Sequence, residues 1–516
     1  MAPLLDPAAY AHPVSGIRLI QTHVSWVFLT GEFAYKVKRP VRYAFVDLRS
    51  RERRAFFCAE ELRLNRRFAP ALYLEICPVT RDAGTTRMGG EGEVIDHAVK
   101  MRQFPTEDEL DQLLSRNALP PEPLARFGRE LALRHALCPT APEISDWGTP
   151  PRVRAALLRN LEECLQLAEG LGTDASLEAL RQPYTARLDA VAAWLLQRRA
   201  AGRVRECHGD LHARNVVRYG GELVAFDCME FEPAFRWIDV AEEIAFLAMD
   251  LRVAGHAEHA QAFLAGYLAE SGDYQAARML RVYGIHRALV RAKVAAIEAR
   301  SAQSVTRERA AHAEHRRYVE WARGALAPER PRLLLICGLS GSGKTWLAQR
   351  LAPALGAFHV RSDIERKRLA GLTEREPSHS GLAQGLYAAS MSERTYARLR
   401  ECAAHLLAGS CTAIIDATFQ RREDRATFHE LAAELGADLK LLHCHAPAAV
   451  LEERVRSRAQ RSTDASEADL AVLALQRGRF EPLLPEEGLD VIEVDTCVRD
   501  VPESVLAQLS GAGPGR

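Results

Sequence analysis

The chain has 516 residues, 47% hydrophobic and 26% charged, a globular composition too long for one ordinary core, so two domains are expected. Lysine plus arginine balances aspartate plus glutamate at 68 each, so no global positive field favours a nucleic-acid partner. No stretch approaches the roughly 18 apolar residues of a membrane helix, and no basic segment precedes an apolar run near Met1, so the chain reads as cytoplasmic with no membrane partner. Eleven cysteines without a CxxC pair read as free thiols.

In chain order, "GIRLIQT", "WVFLTG" and "FAYKVKR" are short β-rich runs, with Gly31 and Glu32 offering a tight turn between the last two. "SRERRAFFCAEELRLNRRF" predicts a helix with a serine start signal, and "LYLEICPVT" and "EVIDHAVKMRQF" return to strand patterning. An antiparallel sheet carrying one helix follows. Residues 106–200 read as helical; "HGDLHARNVVRYGGELVAFDCMEF" then places two apolar runs about a Gly-Gly hairpin, and helices resume near Trp237. "APERPR" marks a linker. Beyond it, apolar runs alternate with helical segments in the rhythm of a parallel sheet. "HCH" at 443–445 resembles a ligand set, but it closes the run "LKLLHCHAP", where alternate side chains face apart, so a strand end is the expected reading.

"GLSGSGKT" satisfies Gly-x4-Gly-Lys-Ser/Thr between an expected strand and an expected helix. The bare pattern arises by chance in roughly one chain in fifty of this length, so the strand–helix context decides for a phosphate loop. Backbone from Gly338, Ser340, Gly341, Ser342 and Gly343 would wrap phosphate, Lys344 would neutralise it, and Thr345 would bind Mg²⁺. Asp363 is placed to take a proton from an acceptor hydroxyl, although it or Ser362 is equally suited to cap the helix "IERKRL". Asp416 ends the strand "AIIDATF", suited to Mg²⁺ or substrate. Arg454 and Arg458 share a helical face and could close over phosphate or simply face water. Together these residues resemble the small P-loop kinases of the zeta-toxin and polynucleotide-kinase-like group, which implies ATP-dependent phosphorylation of a hydroxyl.

"HGDLHARNVV" supplies the other half. A phosphotransferase needs a carboxylate for the acceptor hydroxyl's proton, and an amide oxygen and second carboxylate for Mg²⁺; Asp210, Asn215 and Asp227 form that set. The stretch resembles the catalytic loop of aminoglycoside phosphotransferases and related small-molecule kinases of protein-kinase-like fold. The resemblance implies Asp210 as catalytic base, Asn215 and Asp227 as metal ligands, and His208 and His212 as loop supports. Upstream it implies Lys36, with Lys38 an open alternative, as the ATP-phosphate lysine, and Glu61, or else Glu60, as its helix partner. It further implies "VKMRQF" as the adenine hinge and Asp239 as a helper of the loop. There is no GxGxxG; "QTHVSW" occupies that turn with Ser25 as a donor, and Glu230 in "DCMEF" is positioned for an extra metal or substrate contact.

The pairing resembles a bacterial group described as bifunctional aminoglycoside phosphotransferase/ATP-binding proteins. The expected fold is an α+β protein-kinase-like domain over 1–326, a linker over 327–331, an α/β P-loop kinase domain with a parallel sheet over 332–505 and a flexible tail over 506–516. The expected activity is transfer of phosphoryl from ATP with Mg²⁺ at two nucleotide sites to a small-molecule hydroxyl. Two alternatives stay open: one active P-loop kinase regulated by a pseudokinase domain, and a nucleic-acid 5′-end kinase using basic stretches such as "HRALVRAKVAAIEAR". The latter ranks lower for want of interleaved aromatics and net positive charge. The oligomeric state is not readable.

Overall fold

A computed structural model describes residues 2–14, 16–43, 46–327, 329–374, 376, 386, 388–461 and 468–510, apart from the side chains of 459–461. The chain forms two compact units, Met1–Tyr267 with Val282–Leu326, and Leu268–Arg281 with Ala327–Arg516. The expected border near 326 therefore misses a short segment, 268–281, that clusters with the second unit. There Arg398 donates to the carbonyl of Gly272 at 2.6 Å.

The first unit opens with a six-stranded antiparallel sheet in the order Arg18–Gln21, Ser25–Leu29, Phe33–Lys38, Glu93–Arg102, Tyr73–Asp82, Thr85–Met88. Alternation along Phe33–Lys38 sends Tyr35 and Val37 into a core with Phe28, Val79 and Ala98. Lys36 and Lys38 consequently share the opposite face, the side covered by the helix Arg51–Asn65. Ser50 caps that helix, accepting the Arg53 N–H at 3.3 Å as the sequence signal requires.

Two further antiparallel pairs follow: Val216–Tyr219 with Glu222–Ala225, turning at Gly220 and Gly221, and Val204–Glu206 with Trp237–Asp239. The helix Val240–Val253 is buried continuously from Val240 to Leu251. Such a helix sits in a core and carries its polar groups only where partners await them.

The second unit is a five-stranded parallel sheet ordered Phe358–Arg361, Ala413–Asp416, Arg332–Cys337, Asp438–His445, Val491–Asp495. Its central strand is buried from Leu333 to Cys337, the continuous apolar run of a strand covered on both faces. Leu334, Ile336, Leu347, Ile414, Leu442 and Val494 form the core beneath the helix Lys344–Leu355.

Two expectations are corrected here. Arg361, not Ser362 or Asp363, is the N-cap of the helix Ser362–Leu369, and no side chain caps it. The tail does not begin at 506: the helix Val501–Leu509 buries Val501 and Val505 in the core and packs Leu506 and Leu509 against it. The rest of the expected tail, 511–516, lies outside the described residues. "HCH" ends the strand Asp438–His445, with Cys444 buried and His443 Nδ1 2.8 Å from Glu493. All eleven cysteines are free, nine of them buried. Among the described residues no helix is long and apolar enough to cross a membrane.

Candidate functional site

In the first unit the loop between Val204–Glu206 and Val216–Tyr219 brings Asp210 and Asn215 together. Asn215 donates its amide N–H to the Asp210 carbonyl at 2.9 Å and to Asp210 Oδ2 at 3.0 Å. That fixes the amide orientation and leaves Asn215 Oδ1 without a partner among the described residues. His212 Nε2 stands 3.5 Å from the same carboxylate oxygen, so Asp210 Oδ1 is the open one. Burial works against the Asp210 charge, but His212 beside it holds the carboxyl down at about 2, so the group is ionised.

His208 is buried and bridges the loop, accepting the Asp210 N–H at Nδ1, 3.3 Å, while Nε2–H donates to the Phe226 carbonyl at 2.8 Å. Burial pushes its imidazole down to about 4, so it serves as a neutral strut. Gly209 has φ +87°, and a Cβ there would stand 2.8 Å from the Phe235 carbonyl, so this close turn admits only glycine.

Asp227 follows the strand Glu222–Ala225 with φ +64°, a strained conformation for a residue other than glycine. The Tyr73 hydroxyl accepts its N–H at 3.1 Å, and Asn65 Oδ1 accepts the next one, from Cys228, at 2.9 Å. Its carboxylate takes Lys36 Nζ at 2.5 Å, and Lys36 also lies 2.8 Å from Glu61 Oε1. Burial opposes the Asp227 charge, but Lys36 keeps its carboxyl below the usual range.

Several further placements bear on the alternatives left open. Lys38 contacts the second Glu61 oxygen at 2.5 Å and also binds Glu230, and both Lys38 and Glu230 are buried. Glu230 is thereby committed to a lysine and is not an open metal or substrate contact. Glu60 pairs instead with Arg63, 2.8 Å away. Among the described residues Ser25 Oγ is buried without a partner, at the position opposite Lys38.

Three groups that sequence reading missed hold the loop. Glu243 accepts the N–H groups of His208 and Gly209, both at 3.0 Å, Asp250 accepts that of Ala213 at 2.9 Å, and Arg287 donates to the Gly209 carbonyl at 3.2 Å. Asp239, expected to help the loop, pairs with buried Arg198 at 2.6 and 2.8 Å and caps the helix Val240–Val253.

In the second unit the glycine loop leaves the central strand at Gly338, φ +139°, where a Cβ would stand 2.2 Å from the Cys444 carbonyl and 2.7 Å from Ser342 Oγ. Ser342 Oγ is buried and has no partner among the described residues, and Gln476 accepts the Ser340 N–H at 2.9 Å. Gly341 and Gly343 also have positive φ. Lys344, at the helix start, folds back to the Leu339 carbonyl at 2.8 Å. The Thr345 hydroxyl donates to Asp416 Oδ2 at 2.6 Å, and His359 Nε2 lies 3.1 Å from that oxygen. Burial opposes the Asp416 charge, but the bond from His359, with Lys344 and Thr345, keeps the carboxyl low.

Asp363 lies two residues past the strand Phe358–Arg361, whose end pairs in register with Asp416. Its carboxylate is 3.6 Å from Arg366. On the helical face that carries both arginines, Arg454 donates to Thr496 Oγ1 at 2.8 Å, to the Thr496 carbonyl at 3.1 Å and to the Gly341 carbonyl at 3.2 Å, and Arg458 donates to the Ala468 carbonyl at 2.9 Å. Arg454 is thus a brace on the glycine loop.

A carboxylate–amide loop beside a lysine–glutamate pair under an antiparallel sheet, and a glycine loop at the carboxyl end of a parallel sheet, define two kinase-type domains. Family models agree: the phosphotransferase enzyme family matches residues 38–280, and an AAA domain matches residues 333–483. The protein is a phosphotransferase fusing these two domains. The chain is 29% identical over 485 residues to Rv2004c of Mycobacterium tuberculosis and equally to Mb2027c of Mycobacterium bovis, covering 93% of this chain and 94% of theirs. Among solved structures, a choline/ethanolamine kinase family protein from Mesorhizobium loti aligns at 15% identity and TM-score 0.34, over 61% of this chain and 94% of that one. A gluconokinase from Sinorhizobium meliloti aligns at 20% identity and TM-score 0.27, over 36% of this chain and 95% of that one.

Proposed function

We propose that the protein is a cytoplasmic enzyme with two ATP sites, one in each unit, each passing the γ-phosphoryl group to a hydroxyl of a small-molecule acceptor. The observation that carries this reading is the Asn215 bond to Asp210 Oδ2, 3.0 Å, which turns one carboxylate oxygen and one amide oxygen outward from the same loop. Asp210 Oδ1 orients the acceptor hydroxyl and takes its proton as the acceptor oxygen bonds to the γ-phosphorus, whose bond to the bridging oxygen breaks to release ADP. Asn215 Oδ1 and the Asp227 carboxylate are a hard oxygen set that suits Mg²⁺. Mg²⁺, when bound, neutralises the charge on the phosphate oxygens. Lys36, held by Glu61, exchanges its bond to Asp227 for one to phosphate.

In the second unit the cradle at Gly338 and the unpartnered Ser342 hydroxyl suit a phosphate chain, with Lys344 released from the Leu339 carbonyl to meet it. Thr345 and Asp416 suit Mg²⁺, and Asp363 takes the acceptor proton. Arg454 keeps the loop in shape, and Arg458, on leaving the Ala468 carbonyl, approaches phosphate. The domains are 1–326 without 268–281, and 268–281 with the chain from 327 through the helix that ends at Leu509.

The test is transfer of labelled phosphate from ATP to nucleosides, sugars, aminoglycosides and 5′-hydroxyl oligonucleotides. Transfer to one small molecule lost in Asp210→Asn, and to another lost in Lys344→Ala, supports the reading. Transfer confined to oligonucleotides, or untouched by Asp210→Asn, overturns it.

A further inference from the structure

Lys36 and Lys38 are two residues apart on one strand, so both side chains point toward Glu61, and each takes one of its oxygens, at 2.8 and 2.5 Å. Their other partners differ. Lys36 binds Asp227, whose side chain is 44% exposed, whereas Lys38 binds Glu230, which is 4% exposed. Lys38 itself is 0% exposed, and its ammonium lies 4.8 Å from the centre of the Phe231 ring. Only Lys36 borders open space. A phosphate could reach Lys38 only by uncovering it and breaking two buried ion pairs.

We infer that Lys38 and Glu230 form a second, closed ion pair that clamps Glu61 and the 227–230 segment together whether or not nucleotide is bound, making both positioning residues for Lys36 and Asp227. The inference rests on the proposed nucleotide site of the first unit. Two ammonium groups and three carboxylates meet here. When phosphate draws Lys36 from Asp227, Glu61 would lose its orientation if Lys36 were its sole partner. Lys38 holds its other oxygen, so Lys36 stays aimed. Asn65 adds a neutral tie across the same gap, accepting the Cys228 N–H at 2.9 Å from the helix that carries Glu61.

The experiment uses the full chain with Lys344→Ala, to silence the second unit, and reads the Kd of a non-hydrolysable ATP analogue with Mg²⁺, the ATP KM and kcat, and the melting temperature. Lys38→Met with Glu230→Met removes both charges and keeps a packed core. The expected result is a Kd and KM raised about tenfold, kcat changed less than about threefold, and a melting temperature near the parent's. Kd and KM within about twofold of the parent would reduce the pair to packing and overturn the inference. If the double variant fails to fold, Glu230→Gln, which keeps shape and weakens the hold on Lys38, is expected to raise Kd about threefold, and no change overturns the inference equally. Lys36→Met is the control: analogue binding untouched by that change defeats the nucleotide site itself, a different failure.

Discussion

The carboxylate of Glu243, inside a buried helix, accepts the backbone N–H of His208 at 3.0 Å and so holds the loop carrying Asp210 from behind. Burial pushes the Glu243 carboxyl up to about 7, above its ordinary value near 4.5. A carboxyl raised on folding favours the protonated native state, so its contribution is complete below the ordinary value and lost as pH rises through about 7. Melting temperatures of wild type and Glu243→Gln, compared across this window, should therefore diverge, with wild type losing more between pH 5 and pH 8. The difference between the two proteins cancels the buried histidines, which slope the other way. Parallel profiles would show that Glu243 does not titrate there.

Asp210→Asn keeps the shape of the loop and removes the proton acceptor. Transfer by the first unit should fall about 10³-fold in kcat, with binding of an ATP analogue unchanged. Steady-state kinetics on its acceptor, together with calorimetric titration, separate the two effects.

Gly338→Ala introduces a Cβ 2.2 Å from the Cys444 carbonyl at φ +139°. Backbone must shift, so nucleotide binding by the second unit should weaken more than about tenfold while transfer that depends on Asp210 is preserved. Binding to each unit is read separately in Lys36→Met and Lys344→Ala backgrounds.

Arg454→Ala cuts three bonds that join the glycine loop to Thr496. Because these bonds shape the loop before nucleotide arrives, ATP KM should rise about tenfold with kcat little changed. Arg458→Ala, losing one bond to the Ala468 carbonyl, should show the opposite split if that side chain meets the transferring phosphate. Kinetics of the two variants side by side decide between brace and phosphate contact.

Much of the site was legible because its chemistry is local. Asp210 and Asn215 lie on one loop, Gly338 to Thr345 on one turn, and strand alternation already put Lys36 and Lys38 on one face. What separates those lysines is burial, which depends on Phe231 and Glu230 roughly 190 residues away. The role of Glu243 was hidden for the same reason: a carboxylate in an acidic helix looks solvated until the fold buries it against backbone N–H groups. Arg454 was left between phosphate and water because spacing shows a shared face and not what that face meets. The helix Val501–Leu509 was cut short because "SVLAQLS" has too few turns to declare its period without the core it packs on.

The most direct measurement is the stoichiometry of a non-hydrolysable ATP analogue with Mg²⁺, by calorimetry on the full chain, Lys36→Met and Lys344→Ala. Two nucleotides per chain, falling to one in each variant, are expected. One per chain, abolished by Lys344→Ala and untouched by Lys36→Met, would contradict a second nucleotide site and leave the first unit as a scaffold.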